Sequence, residues 1–162
     1  MAISRNFRLA RLLALVTPAL LLGGAYLSQY GFGLFPCEMC WWQRYPHFAA
    51  LALAALAYLL APAARPLTTL AGLAILVSGL IGAYHAGVEY RWWEGFTACS
   101  SLVKFEPGSD PMAAIMAAPQ IRCDQVQWEL FHISLAGWNF LFSTAAAVSI
   151  FALLAGRKGT AR

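Results

Sequence analysis

Cys37-Glu38-Met39-Cys40 sets two thiols with two residues between them, between two long uncharged apolar stretches. The other two cysteines, Cys99 and Cys123, lie in the chain's only long polar segment. A two-residue spacing is typical of redox dithiols. A disulfide across it closes almost no loop, so it adds little stability by restricting the unfolded chain. Pro36 and the cysteine pair open an apolar helical stretch, where the unpaired N–H groups and positive dipole end of a helix favour a thiolate. Arg44 follows Cys40 by four residues, on the same helix face and one turn deeper. Its guanidinium is suited to stabilise a Cys40 thiolate or to donate to an electronegative oxygen on a bound partner. The plainer role is an interfacial anchor that snorkels to water. Four cysteines at the edge of apolar spans point to electrons passing between thiols and an acceptor in a bilayer.

The elements that must position these thiols follow from hydropathy. The chain has 162 residues, 60% hydrophobic and only 11% charged, against about 25% charged in a soluble domain. The class is membrane protein. Four stretches are long enough to cross a bilayer, which takes about 20 mostly apolar residues. We place spans near 12–30, 45–62, 67–87 and 133–155. They must be helices, because hydrocarbon offers no partner to open backbone groups and four apolar runs cannot close a barrel. The expected fold is an all-α membrane protein, a four-transmembrane-helix bundle forming a single membrane domain over 1–162, with two outward loops near 31–44 and 88–132.

Charge predicts the orientation. Arg5, Arg8, Arg11, Arg65, Arg157, Lys158 and Arg162 flank the spans on one side with no acidic residue. The other side has all seven carboxylates and only Arg44, Arg91, Lys104 and Arg122. The positive-inside tendency then puts both termini in the cytoplasm and both cysteine loops outside, in a compartment that permits disulfides. The net charge of +4 reflects insertion, and nothing suggests nucleic-acid binding. The first span also has features of a signal peptide, with Gly23-Gly24-Ala25 as a small-residue cleavage site. The apolar run continues past Ala25 to Phe35, which suits an anchor better.

In the third span, small residues recur four apart on two rows, Ser78, Gly82, Ala86 and Gly79, Ala83, Gly87, predicting close helix packing. Trp41, Trp42, Tyr45, Trp92, Trp93 and Trp128 form an aromatic belt at the outer edge, and one or two of them are candidates to line a pocket for a flat ring. Pro111 to Pro119 enclose a short apolar segment expected to lie at the membrane interface or on top of the bundle. His47 and His132 are expected to be interfacial structural residues. Two other uses of the cysteines stand beside the redox one. A zinc site normally pairs two short-spaced motifs, whereas Cys99 and Cys123 are far apart. Two structural disulfides would give the second loop roughly 3–4 kcal/mol but leave the Cys37–Cys40 pair without a purpose.

Taken together, the motifs resemble the DsbB family, bacterial inner-membrane thiol oxidases that reoxidise DsbA with quinone. The resemblance rests on Cys37-x-x-Cys40-x-x-x-Arg44, Cys99 within Thr97-Ala98-Cys99, and Cys123. It also rests on Tyr84-His85-x-Gly87-Val88-Glu89, Gln127-Trp128 and Gly137-Trp138. It covers nearly the whole chain. The dipeptide Glu38-Met39 differs from the apolar pair of the best-known member, and an acid beside the thiols is expected to oppose thiolate formation.

The resemblance implies a role for each cysteine. Cys99–Cys123 is the disulfide that reduced DsbA attacks, with Cys99 taking the mixed disulfide. Freed Cys123 then attacks Cys37 and releases Cys40 as a thiolate facing the quinone, ubiquinone or menaquinone, with which it forms a charge-transfer or covalent adduct. Arg44 polarises a quinone oxygen, and closure of Cys37–Cys40 yields quinol. His85 and Glu89, one turn apart near the outer end of the third helix, are candidates to take up quinone protons or fix the ring. The enzyme is then a protein-disulfide:quinone oxidoreductase of the inner membrane with no metal, whose partners are a periplasmic DsbA-like protein, the quinone pool and the bilayer. Two rival readings remain. One is a thiol–quinone enzyme resembling vitamin K epoxide reductase, a family whose active pair comes late in the chain. The other is a non-catalytic membrane protein with stapled loops.

Overall fold

A computed structural model of the chain describes residues 4–97, 110, 112 and 121–156. Among them are four long helices: α1 (Arg5–Gly31), α2 (Glu38–Leu59), α3 (Ala64–Glu89) and α4 (Leu135–Ala155). Ser4 caps α1 by accepting a hydrogen bond from the Phe7 amide, and Ser134 caps α4 by accepting from Gly137. The expected second span, 45–62, stops earlier: α2 ends at Leu59, and a 3-10 turn over Ala61–Ala63, with Pro62 inside it, leads directly into α3. The fourth span is also shorter at its start. Glu129–Leu130 and Ile133–Ser134 pair as an antiparallel hairpin, with Phe131 and His132 at its tip in the left-handed region (φ 53° and 60°). Tyr90 holds this hairpin from the end of α3, its hydroxyl accepting from the Ser134 amide and donating to the His132 carbonyl.

Three of the elements are long and apolar enough to cross a membrane: α1, the 3-10 turn with α3 (Ala61–Glu89), and α4. The fourth helix, α2, is of similar length but carries Gln43, Arg44 and His47 in its first half, all three buried inside the protein. It packs against α1 and α3, while α4 packs against α3 and α1, so the four helices enclose a common interior. Towards the turn end that interior is built of Ala10, Ala14, Ala50, Ala54, Ala71, Ile75, Ala147, Ile150 and Leu154. Leu20, Leu27, Leu59, Leu80, Phe142 and Val148 face outward and are exposed. Small residues inside and large apolar residues outside is the arrangement expected where lipid surrounds the helices, because interhelix attraction then relies on close packing.

The two small-residue rows of α3 behave as anticipated on one face. Ser78, Gly79, Gly82, Ala86 and Gly87 are buried, and Gly72, Gly79 and Gly82 lie against α4. A Cβ at Gly82 would come within 2.9 Å of the Ala136 carbonyl and 3.1 Å of the Phe140 amide. The chain ends of this arrangement are also tied together: Arg65 at the start of α3 donates to the Leu154 carbonyl of α4, and Gly156 lies beside Asn6 of α1. Arg5, Arg8, Arg11 and Arg65 therefore share one end of the bundle, opposite the cysteines. Arg11 is buried there, stacked over Tyr58 at 4.0 Å.

The backbone contact at Gly82 predicts the effect of one added methyl group. Gly82→Ala should lower stability in detergent by about 1–3 kcal/mol, the usual cost of overpacking, whereas Gly23→Ala, with nothing within 4 Å of its Cβ, should not. Equal unfolding midpoints for the two variants would contradict the close α3–α4 contact.

Candidate redox site

Cys37 is the N-cap residue of α2, its backbone extended (φ −76°, ψ 178°) and its carbonyl accepting from the Trp41 amide. The turn that delivers it bends at Gly33 (φ +69°). As expected, Pro36 and Cys37 open the helix and Cys40 falls in its first turn. The two sulfurs are 3.3 Å apart, with Cys37 donating to Cys40. Glu38 is exposed, while Met39 is buried beside Cys37. The acid is thus turned to the surface.

Cys123, on a polar loop expected outside the membrane, does not stand in water. It is fully buried and packs with Cys37, Met39 and Val88, flanked by Ile121. The segment 121–128 is polar in sequence, but it folds over the start of α2 and the end of α3 and carries Cys123 under it. Arg122 and Asp124 of this segment pair at 2.6 Å, and the guanidinium holds the Asp124 carboxyl below the usual carboxylate range. Cys99, the segment 111–119 as a unit, Lys104 and the basic residues 157, 158 and 162 lie outside the described residues.

The thiols at this outer rim, before residue 45 where the second span is expected to begin, are made unequal by their surroundings. Cys123 hydrogen-bonds Cys37 and pulls its thiol down, but the hydrogen bond with Cys40 and burial outweigh this and push it up to about 12. Cys40 accepts that bond, is the more exposed of the two and falls in the first turn of α2, where the positive end of the helix favours a thiolate.

Cys40 also faces a cleft of about 250 Å³ opening between α1, α2 and α4. Its walls are mostly apolar, including Leu20, Phe35, Trp138 and Phe142, and its titratable and charged groups besides the two thiols are Arg44, His47, His85, Glu89 and Arg122. The volume is slightly below the range of about 300–1,000 Å³ for small-molecule sites, enough for a ring but not a long tail. Of the anticipated belt residues, Trp128 lines the cleft. Arg44 is buried rather than snorkelling. It donates to Gln29 Oε1 (2.7 Å) and the Ala25 carbonyl (3.2 Å) of α1, with Tyr26 and Trp41 rings at 5.0 and 4.9 Å.

His85 and Glu89, at the outer end of α3, face the same thiols: His85 Nε2 is 3.5 Å from Cys37 Sγ and 3.8 Å from Glu89 Oε1. Cys37, Cys40 and His85 thus present their sulfur and nitrogen atoms within 4.8 Å of one another. The 3.3 Å sulfur–sulfur contact and the two-residue spacing suit a dithiol that closes to a disulfide. His47 corrects the interfacial expectation, for it is buried and bonded to Asn139 Oδ1 at 3.0 Å. His132 is exposed at the hairpin tip, as an interfacial residue would be. Gln43, Ser78, Asn139 and Ser143, which the spacing of charged and sulfur residues did not single out, form a hydrogen-bonded lattice around His47 and His85. The available signal was their polarity within otherwise apolar helices.

The chain matches the family model described as "Disulfide bond formation protein DsbB" over residues 7–153. It is 35% identical over 150 residues to a disulfide bond formation protein B of Aromatoleum aromaticum, covering 86% of this chain and 87% of that protein. Proteins of the same name from Azoarcus sp. and Polaromonas sp. are 31% and 32% identical, over 86% and 87% of this chain and 87% and 86% of their own lengths. No solved structure matches the chain significantly.

Burial of Cys123 has a direct chemical consequence. In the reduced, folded protein, an alkylating reagent should modify Cys123 at least tenfold more slowly than after unfolding, by peptide mass spectrometry. Equal rates in the two states would place Cys123 in water.

Proposed function

The chain belongs to the DsbB family of disulfide bond formation proteins and is a membrane oxidoreductase; from that premise we propose that it reoxidises a periplasmic DsbA-like dithiol and passes the electrons through its two cysteine pairs to a membrane quinone. The observation that carries this reading is the continuity of the path. Buried Cys123 packs on Cys37, Cys37 touches Cys40, and Cys40 opens onto a ring-sized cleft beside Arg44. We take all four long helices as spans, α2 included because its polar residues face inward, with both termini cytoplasmic and the cysteine end periplasmic.

The electron path follows as thiol–disulfide exchange. A partner thiolate attacks Cys99 of a Cys99–Cys123 disulfide, and Cys123 leaves as the thiolate. Cys123 is then already against Cys37, so it attacks that sulfur of the Cys37–Cys40 disulfide and Cys40 leaves. Cys40 suits a leaving group because its environment favours the thiolate. When the second partner thiol resolves the mixed disulfide and Cys99–Cys123 re-forms, the partner is oxidised and Cys37 and Cys40 hold two electrons. Rejoining Cys37 to Cys40 releases two electrons and two protons.

A quinone supplies the acceptor for these, becoming quinol. A strong acceptor is needed because DsbA-type partners are themselves oxidising, near −120 mV, and each 30 mV is about 1.4 kcal/mol for two electrons. The cleft fits such a group: apolar walls for a flat ring, and Arg44, His47 and Glu89 as polar groups for its oxygens. Arg44 is held by α1 and two aromatic rings, so its remaining N–H groups are presented in a fixed direction. His85 and Glu89 stand where protons leaving the thiols would pass.

The test of the reading is turnover. Purified protein with a reduced DsbA-like protein and a soluble quinone should bleach quinone absorbance in proportion to partner disulfide formed; no bleaching would overturn it. Arg44→Met should reduce that rate roughly tenfold to a hundredfold, about 1.5–3 kcal/mol for one charge-assisted hydrogen bond, while the cysteines still form disulfides. Given the partner in its disulfide form, Cys123→Ser should trap it on Cys99, whose thiolate attacks that disulfide and displaces one partner thiol, as a stable mixed disulfide seen as a shifted band without reductant. Trapping on Cys37 instead would reverse the proposed direction.

A further inference from the structure

The amide side chains inside the bundle have orientations fixed by backbone carbonyls. Gln43 Nε2 lies 3.2 Å from the Met39 carbonyl, and Asn139 Nδ2 lies 3.2 Å from the Ser78 carbonyl. A carbonyl oxygen only accepts, so these ends are the NH₂ groups. Two consequences follow for the histidines. Gln43 Nε2 is 2.8 Å from His85 Nδ1, so that ring nitrogen must accept and is bare. The single ring proton of His85 is then on Nε2, which faces Cys37 Sγ at 3.5 Å. Asn139 Oδ1 accepts from His47 Nε2 at 3.0 Å, and Asn139 Nδ2 donates to Gln43 Oε1 at 2.8 Å.

Every bond in the series therefore points the same way: His47 to Asn139, Asn139 to Gln43, Gln43 to His85, His85 to Cys37, and Cys37 to Cys40. Three helices contribute, α2, α4 and α3. Hydrogen bonds aligned in one sense polarise one another, more strongly in a low-dielectric interior, and the acceptor at the end of the series is the sulfur at the cleft. We propose that Gln43 and Asn139 are positioning residues which lock His85 as a neutral Nε2–H donor, so that the series terminates on Cys40 and stabilises its thiolate.

This changes the role open to His85. A ring whose Nδ1 is engaged by Gln43 and whose Nε2 carries the proton has no free nitrogen with which to take a proton from Cys37. It acts as a donor towards that sulfur, with the Cys123 backbone as a second hydrogen-bond partner of the ring, and proton uptake falls to Glu89, whose Oε1 lies 3.8 Å from His85 Nε2, beyond hydrogen-bonding reach. The other titratable and charged groups around Cys40 are Cys37, Arg44 and His47 on α2, His85 and Glu89 on α3, and Cys123 and Arg122, the latter paired with Asp124, on the segment after Ile121. The cleft residues from α1 (Leu20, Leu21, Leu22, Gly24, Ala25, Ser28) and α4 (Leu135, Ala136, Trp138, Asn139, Phe142) add none.

The inference rests on Cys40 being the exit thiol, yet it is tested without quinone or partner, so its failure and that of the relay are distinct. In reduced, full-length protein labelled with ¹⁵N-histidine, His85 should show a protonated Nε2 and a bare Nδ1; a proton on Nδ1 overturns the proposal. The pH dependence of Cys40 alkylation, resolved from Cys37 by fragment mass spectrometry, should shift in Gln43→Met. Its midpoint should rise by about one unit, a roughly tenfold loss of thiolate below it, with a smaller rise in Asn139→Leu. An unchanged profile in folded Gln43→Met also overturns it. The nitrogen spectrum needs no substitution, so it decides the matter even where a variant fails to fold.

Discussion

Polar groups surrounded by apolar helices and lipid must find partners within the protein, and the lattice of Gln43, Ser78, Asn139 and Ser143 is where this chain meets that demand. It joins α2, α3 and α4 at one level of the bundle. Its short bonds need backbones that approach closely, which Gly79 and Gly82 allow: Gly82 lies beside Asn139 itself. Removing one member would strand the others, since an unpaired buried amide costs about 1–3 kcal/mol. The rotation of α2 is thereby fixed, and with it the direction in which its first turn presents Cys37 inward and Cys40 to the cleft.

A second consequence is that the chemistry is directional before any ligand arrives. Two thiols three residues apart on a flexible chain would be nearly equivalent. Both border the cleft, but Cys37 is buried among Met39, Val88 and Cys123 while Cys40 is half-buried. The deeper sulfur lies against Cys123, and the more exposed one is the easier for a lipid-soluble ring to reach. Arg44 is anchored to α1 through Gln29 and Ala25, so the α1 wall of the cleft is bound to the dithiol helix by the residue best suited to an electronegative oxygen.

Much of this was legible in the sequence, for local reasons. Hydropathy located the four helices, because an uncharged run of about 20 residues has few other fates. The Cys-x-x-Cys with Arg44 one turn on placed the dithiol at a helix start. What was not legible depended on contacts distant in sequence. Polar residues between 121 and 128 read as water-facing, yet they cover Cys123 because the segment folds back onto α2 and α3. His47 was expected at an interface, near the start of the apolar run that opens at Tyr45, but α2 starts seven residues before that run, at Glu38, which puts His47 more than two turns into the helix. The hairpin at Phe131 and His132 lacks the glycine or asparagine that usually marks a left-handed turn. Gln43 and Asn139 are uncharged, so a reading led by charge and sulfur passed over them.

The central claim is that the Cys37–Cys40 pair alone delivers electrons to the acceptor in the cleft. Its most direct test is a single turnover without any partner: fully reduced Cys99→Ser/Cys123→Ser protein mixed anaerobically with a soluble quinone. The account predicts one quinol for each Cys37–Cys40 disulfide formed, with no other cysteine left to contribute. Quinone left unreduced, or reduced without that disulfide appearing, would contradict it.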